Sequence, residues 1–217
     1  MPSILSLQVG PVASLGPDNV PSAFVKRPVA GSVHVAPLGL EGDAQADLRV
    51  HGGTDKAVYV YPSEHYARWL ADVPQHERTL LPGAFGENVT TVGLDEQSVA
   101  IGDVWAIGSA QMQVSEPRQP CFKLGLRFGD NGLGRIMMQS GRSGWYMRVL
   151  QAGELKAGDE ITLLRRPNPE WTIARFNQFV PRRRAAVDDM RDLVRIEGLA
   201  QGWRNEIAEV LGGLSHQ

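Results

Sequence analysis

Only one cysteine, Cys121, occurs in the whole chain. One thiol cannot close an internal disulfide, and it cannot hold an iron–sulfur cluster, which usually takes four protein thiolates. Any electrons the protein uses must therefore arrive from elsewhere. Charge of one sign is not in excess either: 22 Lys+Arg stand against 24 Asp+Glu, so nothing sequence-wide would hold a nucleic acid polymer or an anionic membrane by counterion release. An anion site has to be local. Long apolar runs are missing too. The stretch from Met1 to Val20 has no basic n-region and is broken by Pro2, Gly10, Pro11, Gly16 and Pro17. That pattern suits neither a signal peptide nor a membrane span, and the expected compartment is the reducing cytosol.

What is present reads first as β-structure. At 217 residues the chain is long enough to bury a core without staples. Up to about Arg166 it consists of short β-rich runs separated by Gly, Pro and Asp. Strands are expected at Ile4–Val9, Ser22–Val29, Ala57–Tyr61, Asn88–Val92, Val104–Ile107, Ala110–Ser115, Trp145–Leu150 and Glu160–Leu164. Two of them follow a small-Gly-Asp turn, Ile101-Gly102-Asp103 and Ala157-Gly158-Asp159. Many short strands of this kind point to a barrel or sandwich. Helical insertions are expected at Ser63–Leu70, with Ser63 as the cap, and near Gly132–Gln139. The Arg165-Arg166-Pro167-Asn168-Pro169 stretch reads as a linker between a β domain over 1–166 and a helical extension over 167–217. Beyond it Thr172 can cap a helix over Ile173–Phe179. Met190, Leu193 and Val194 share a face, and Trp203, Ile207, Val210 and Leu211 follow helical spacing. Three short helices of this size make a small bundle. The basic run Arg182-Arg183-Arg184 reads as a solvated turn.

Two segments carry chemistry. In Val114-Ser115-Glu116-Pro117-Arg118-Gln119-Pro120-Cys121-Phe122-Lys123-Leu124, Pro120 suits the first position of a helical turn, which places Cys121 near exposed backbone N–H groups. Arg118 and Lys123 are nearby cations that favour the thiolate soft metals require. Free cysteines are more often small buried hydrophobes, and spacing alone leaves both readings open. The second segment, Arg49-Val50-His51-Gly52-Gly53-Thr54-Asp55-Lys56, pairs glycines that let backbone approach a ligand with side-chain donors suited to phosphate. A tight turn with a solvent-facing histidine is the more ordinary explanation of a bare H-G-G. The glycine clusters at Gly39–Asp43 and Gly83–Asn88 fit neither dinucleotide nor P-loop spacing and read as turns. The five histidines lack H-E-x-x-H spacing, and no G-x-S-x-G elbow occurs, so a protein-only zinc site and a serine hydrolase are both disfavoured. Cys121 with His51 as a nucleophile pair stays as an alternative.

Taken in order, Gly39-Leu40-Glu41-Gly42-Asp43, His51-Gly52-Gly53, Tyr61-Pro62-Ser63-Glu64-His65-Tyr66, Phe85-Gly86-Glu87-Asn88, Ile101-Gly102-Asp103 and Pro117-Arg118-Gln119-Pro120-Cys121-Phe122-Lys123-Leu124 resemble the MOSC family, named for the C-terminal domain of molybdenum cofactor sulfurases. The likeness is to its stand-alone bacterial members with a three-helix C-terminal extension, and it covers nearly the whole chain. It implies a mainly β fold with helical insertions, built as a MOSC-type β-barrel followed by a small three-helix bundle. It also implies a molybdenum cofactor whose pterin dithiolene shares the metal with Cys121.

By the same resemblance Asn88 and Arg118 match positions near the cofactor. His51, Ser115 and Lys123 are placed there by motif proximity and anion chemistry, with Arg49 as a further donor suited to phosphate. Asp43, Glu87 and His51 are candidates for relaying protons. The implied activity is reduction of N-hydroxylated compounds such as 6-hydroxylaminopurine to the amino form, with electrons from a separate flavin or iron–sulfur reductase. Two features depart from relatives. The pyridoxal-phosphate desulfurase domain of the sulfurases is missing, and Pro21-Ser22-Ala23-Phe24-Val25-Lys26 stands where a mitochondrial branch carries a Y-P-V-K-S-type signature, which leaves a cofactor role for Lys26 open. The rival expectation is a non-catalytic carrier of molybdenum cofactor or of sulfur on Cys121. The C-terminal helices are expected to cover the barrel end, to meet a partner or to form a homodimer.

Overall fold

A computed structural model describes residues 1–47, 51–182 and 186–214. Its strands are β1 (Ser3–Val9), β2 (Ala13–Leu15), β3 (Val20–Ser22), β4 (Arg27–Pro28), β5 (Val33–Ala36), β6 (Gly39–Leu40), β7 (Val58–Pro62), β8 (Val89–Val92), β9 (Val104–Ile107), β10 (Ala110–Pro117), β11 (Trp145–Gln151), β12 (Gly153–Leu155) and β13 (Ile161–Arg165). Helices α1 (Glu64–Asp72), α2 (Phe122–Phe128) and α3 (Leu133–Ser140) interrupt them, and α4 (Ile173–Phe179), α5 (Val187–Leu193) and α6 (Gln201–Leu214) follow. The class is the one expected, mainly β with helical insertions and C-terminal helices.

Eight strands form the principal sheet in the order β13-β9-β10-β11-β7-β8-β1-β4, all antiparallel except the β7–β8 pair. The expected barrel needs correction here, because this ladder does not close. Its ends meet at one corner only: Ile4 N–H donates to the Asp159 carbonyl at 2.9 Å, Gly158 N–H to the Ile4 carbonyl at 2.8 Å and Ile161 N–H to the Pro2 carbonyl at 2.9 Å. The far half of β1 is already taken by β4, which pairs Gln8 with Pro28 and Val9 with Arg27, so β13 cannot run along it.

Strand β7 shows how the sequence sorts two cores. All five of its residues are buried. By strand alternation Val58 and Val60 face one way and Tyr59 and Tyr61 the other. The valines join a large core with Met112, Val114, Trp145 and the C-terminal residues Trp171, Phe176, Phe179, Met190, Leu193 and Trp203. The tyrosines join a second core with Trp69, Phe85, Leu124, Phe128, Leu133 and Met137, under α1, α2 and α3. The C-terminal helices thus share one apolar core with the sheet. The stretch after β13 is also pinned to it: the Arg166 guanidinium pairs with Asp103 at 2.6 Å, and Asn168 Nδ2 donates to the carbonyls of Ile101 and Glu197 at 2.8 Å each.

Capping divides the two helix starts read from sequence. Thr172 is extended (φ −64°, ψ 157°) and its hydroxyl accepts from Arg175 N–H at 3.1 Å, as an N-cap should. Ser63 is itself helical (φ −65°, ψ −26°), makes no side-chain cap bond, and donates its N–H to the Thr91 carbonyl at 2.8 Å.

The two Gly-Asp turns differ in a testable way. Gly102 and Gly158 both have positive φ, +84° and +89°. A Cβ on Gly102 would lie 2.5 Å from the Glu197 carbonyl oxygen, whereas one on Gly158 meets nothing within 4 Å. Gly102→Ala should therefore cost about 2–5 kcal/mol, strain plus collision, and Gly158→Ala only about 1–2 kcal/mol. Urea unfolding of the two variants checks this, and equal midpoints would contradict it.

Candidate functional site

A cavity of about 280 Å³ opens where the β10–α2 connection, the Gly52 loop and the Phe24 and Phe85 loops meet. That is the scale of sites that hold a small organic molecule. Its wall contains Cys121 together with Lys26, Lys56, Arg118 and Lys123, and also His51, Asn88, Asp43, Glu116 and Tyr146. Three aromatic rings, Phe24, Tyr59 and Phe85, come from the second core.

Cys121 is the N-cap residue of α2, extended at φ −118° and ψ 166°, and half-buried. Burial alone would raise its thiol pKa. A hydrogen bond with His51, the Arg118 charge and the Lys123 backbone N–H more than offset that, and bring it down to about 7. The sequence expected Arg118 and Lys123 to act on the thiol. His51, seventy positions earlier, joins them only through the fold.

Arg118 is buried, and burial works against its charge. The neighbouring Tyr59, Tyr146 and Cys121 favour the charged form and outweigh burial. Its guanidinium lies 5.8 Å from the Phe24 ring centre and 5.5 Å from that of Tyr59, and Nη1 lies 3.1 Å from the Met137 sulfur. None of these neighbours is a carboxylate, so the cation faces the cavity without an acidic partner among the contacts that hold it. Backbone is also offered: Gly52 and Gly53 have φ of +82° and +79°, conformations that favour glycine, and Gly52 lines the cavity.

The remaining expected residues are placed as follows. Asn88 lines the cavity, but its side chain is spent on the scaffold: Oδ1 accepts from Tyr59 N–H at 3.1 Å and Nδ2 donates to Asp43 at 2.8 Å. Asp43 accepts from Gly10 N–H at 2.9 Å and pairs with Lys26. Glu87 is fully buried outside the wall and accepts from Gly83 N–H at 2.7 Å, Phe85 N–H at 3.1 Å, Thr90 Oγ1 at 3.1 Å and the Tyr66 hydroxyl. Burial still raises its pKa despite these donors. Ser115 is likewise off the wall, its hydroxyl directed at the Asp55 carbonyl at 2.5 Å and that of Tyr146 at 3.0 Å. Arg49 lies outside the described residues.

Sequence reading did not single out Glu116 or Tyr146. Both line the cavity, and they are register partners across β10 and β11. The ladder shifts register between Val114 and Glu116, a bulge that turns the strand's alternation by one residue. Strict alternation would have put Glu116 on the side of Met112 and Val114, in the apolar core.

Among the described residues, no group of three or more His, Cys, Asp or Glu could hold a metal ion. A metal bound through Cys121 would take its other ligands from outside these side chains. One soft thiol, a ring of cations and bare glycine backbone fit a metal whose remaining ligands come from an anionic, phosphate-bearing cofactor. No helix among the described residues is long and apolar enough to cross a membrane.

Comparison with known proteins places these features in context. A family model described as MOSC domain matches residues 47–162. The YflK protein of Bacillus subtilis (strain 168) is 39% identical over 210 residues, 93% of this chain and 91% of that protein. A protein named Reductase from Gibberella moniliformis is 35% identical over 178 residues, which are 82% of this chain but only 32% of that longer protein. The crystal structure of YiiM from Geobacillus stearothermophilus superposes with a TM-score of 0.81 at 33% identity, covering 97% of this chain and all of that one (100%).

Proposed function

The chain belongs to the MOSC domain family, and on that premise we propose that it is a molybdenum-cofactor oxidoreductase that reduces N-hydroxylated compounds to their amino form. The observation that carries the reading is the placement of the chain's one cysteine in the wall of a cavity that also gathers Lys26, Lys56, Arg118 and Lys123. The reductase name of the fungal relative supports the direction of the chemistry.

Cys121 would ligate the metal, and Arg118, Lys123 and the Gly52-Gly53 backbone would hold the pterin and its phosphate. When bound, that group supplies the two-electron redox chemistry. The protein's own residues do the rest. A hydrogen bond with His51, the Arg118 charge and the Lys123 N–H favour the anionic form of the Cys121 sulfur. The Tyr59 and Phe85 rings give the cavity apolar walls against which a heteroaromatic substrate can pack. With one cysteine, the chain has no protein ligand set for an iron–sulfur cluster, so electrons come from a separate flavin or iron–sulfur reductase.

Protein made in a cofactor-competent host should carry about one molybdenum and one pterin per chain. It should turn over 6-hydroxylaminopurine with an artificial electron donor. Metal-free protein bearing a cyanide-labile sulfur would instead establish a sulfur carrier. Metal-loaded protein inert to a panel of N-hydroxylated substrates would establish a cofactor carrier.

A further inference from the structure

Reduction of an N–OH group breaks one N–O bond and consumes two electrons and two protons. One proton leaves with the oxygen as water, and the other stays on nitrogen. The electrons are the external reductase's, but the protons must enter through the cavity wall. Asp43 and Glu87 are poorly placed to supply them. Asp43 is saturated by Gly10 N–H, Asn88 and Lys26, and Glu87 by four donors in a region that does not line the cavity. A carboxylate whose lone pairs are already taken by donors of the scaffold has none free to share with a substrate. His51 is engaged with the Cys121 sulfur.

Glu116 differs in each respect. Its side chain is 8% exposed, and the β10 bulge aims it into the cavity wall that holds Cys121. Its partners are few. Lys56 Nζ stands 3.6 Å from Oε1, longer than a hydrogen bond, and the indole N–H of Trp203, on α6, acts on the carboxylate as a donor. The other charged or titratable groups that face it are Asp55 from the 54–56 turn and Tyr146 from β11.

Resting on the reductive reading above, we propose that Glu116 delivers a proton to the departing oxygen in this cavity, with Lys56 and Trp203 as the residues that position it. Its carboxylate product is then stabilised by Lys56 and reprotonated from solvent. The acid is suited to that cycle. Burial, opposed by Lys56 and Trp203, lifts its pKa to about 7, so both protonation states are populated at neutrality. The helical extension thereby acquires a part in the chemistry. The Asp55 carboxylate accepts from Gln201 N–H at 2.8 Å, and the Ala200 N–H donates to the Ser115 carbonyl at 2.9 Å. Those two bonds fix the start of α6 beside the 54–56 turn and the β10 bulge, and so hold the Trp203 indole within reach of Glu116.

The test compares wild type, Glu116→Gln and Trp203→Phe, each loaded with cofactor and assayed for molybdenum and pterin content, thermal midpoint and turnover across pH. The protonated acid is the donor, so wild-type kcat should fall as pH rises through about 7. Glu116→Gln should keep its molybdenum and pterin yet lose roughly 100-fold in kcat together with that pH limb. Trp203→Phe removes a donor that favours the carboxylate and should move the limb to higher pH, which a merely structural residue would not do. In cofactor-free protein, carboxyl NMR should show a glutamate titrating near neutrality that Glu116→Gln lacks. An active Glu116→Gln with an unchanged pH profile, or no such glutamate titration, overturns the assignment. A metal-loaded wild type inert to every N-hydroxylated substrate overturns the reductive reading and with it the task given to Glu116, while the titration still reports the carboxyl.

Discussion

Cys121→Ser should leave the purified protein without molybdenum or pterin and lower turnover by more than about 100-fold, the upper end of what loss of an outer-shell partner costs a metal site. Its stability should barely change. Cys121 occupies the N-cap position of α2 with extended backbone and no side-chain cap bond. Serine is a preferred residue there, because its hydroxyl can accept from a free N–H in the first turn. Metal loss and misfolding are therefore separable by one thermal melt. The thiol can also be read without metal. Alkylation of cofactor-free wild type should follow a thiolate titrating near 7, whereas an ordinary cysteine titrates near 8.5. His51→Gln should move that midpoint upward by weakening the hydrogen bond that favours the anion, and an unmoved midpoint would dissociate His51 from the sulfur. Equal molybdenum in Cys121→Ser and wild type would remove the basis of the proposed function.

Much of the framework was legible because it depends on local pattern. Val104–Ile107 is a strand with the expected bounds, and the runs that became β1, β7, β8, β11 and β13 end within two residues of expectation. Alternating apolar residues, bounded by Gly and Asp, set these elements without help from distant parts of the chain. Of the Ser22–Val29 run only Ser22, at the end of β3, and Arg27–Pro28, as β4, are strand. The Gly39–Leu40 strand is too short to show a period, and Val33–Ala36, also not anticipated, is held by its pairing with β12 and β6. Closure of the sheet was out of reach for another reason. It turned on whether β4 or β13 would take the outer edge of β1, a competition between segments more than 100 residues apart.

The site divides along the same line. Cys121, Arg118 and Lys123 are close in sequence, and their cooperation follows from spacing. Glu116 sits in the same segment, yet its approach to the cavity depends on a register shift beside Ser115, whose hydroxyl faces the Asp55 and Tyr146 carbonyls. Asp43 and Glu87 were candidates for moving protons although carboxylates beside glycine turns are commonly just solvated. Their partners come from Gly10, Lys26 and Asn88 for one and from Tyr66 and Thr90 for the other, and only the folded chain shows that these donors converge. A carboxylate with a full set of donors is part of the scaffold.

That distinction gives the largest expected effect on stability. The Lys26 and Asp43 side chains are 7% and 2% exposed, and their ion pair sits between the β1 end, the Gly42 turn and the Phe85–Asn88 wall. Burial pushes the Lys26 ammonium below its usual range, opposed by the adjacent Asp43 charge. Asp43→Ala removes the opposing charge and leaves Lys26, Gly10 N–H and Asn88 Nδ2 facing a void. Deleting one member of a buried, hydrogen-bonded pair costs about 3–5 kcal/mol, a large share of the roughly 5–15 kcal/mol that holds a domain of ordinary stability. Lys26→Met alone should cost a comparable amount. The double variant Lys26→Met, Asp43→Leu should cost less than the sum, because neither charge is then stranded. Denaturant titration of the four proteins completes the cycle, and strict additivity would show that the two side chains do not act as a pair. Turnover adds a second readout: if Asp43 only braces the wall, activity that survives in Asp43→Asn should keep the wild-type pH profile, whereas loss of its pH limb would return Asp43 to the chemistry and displace Glu116 from it.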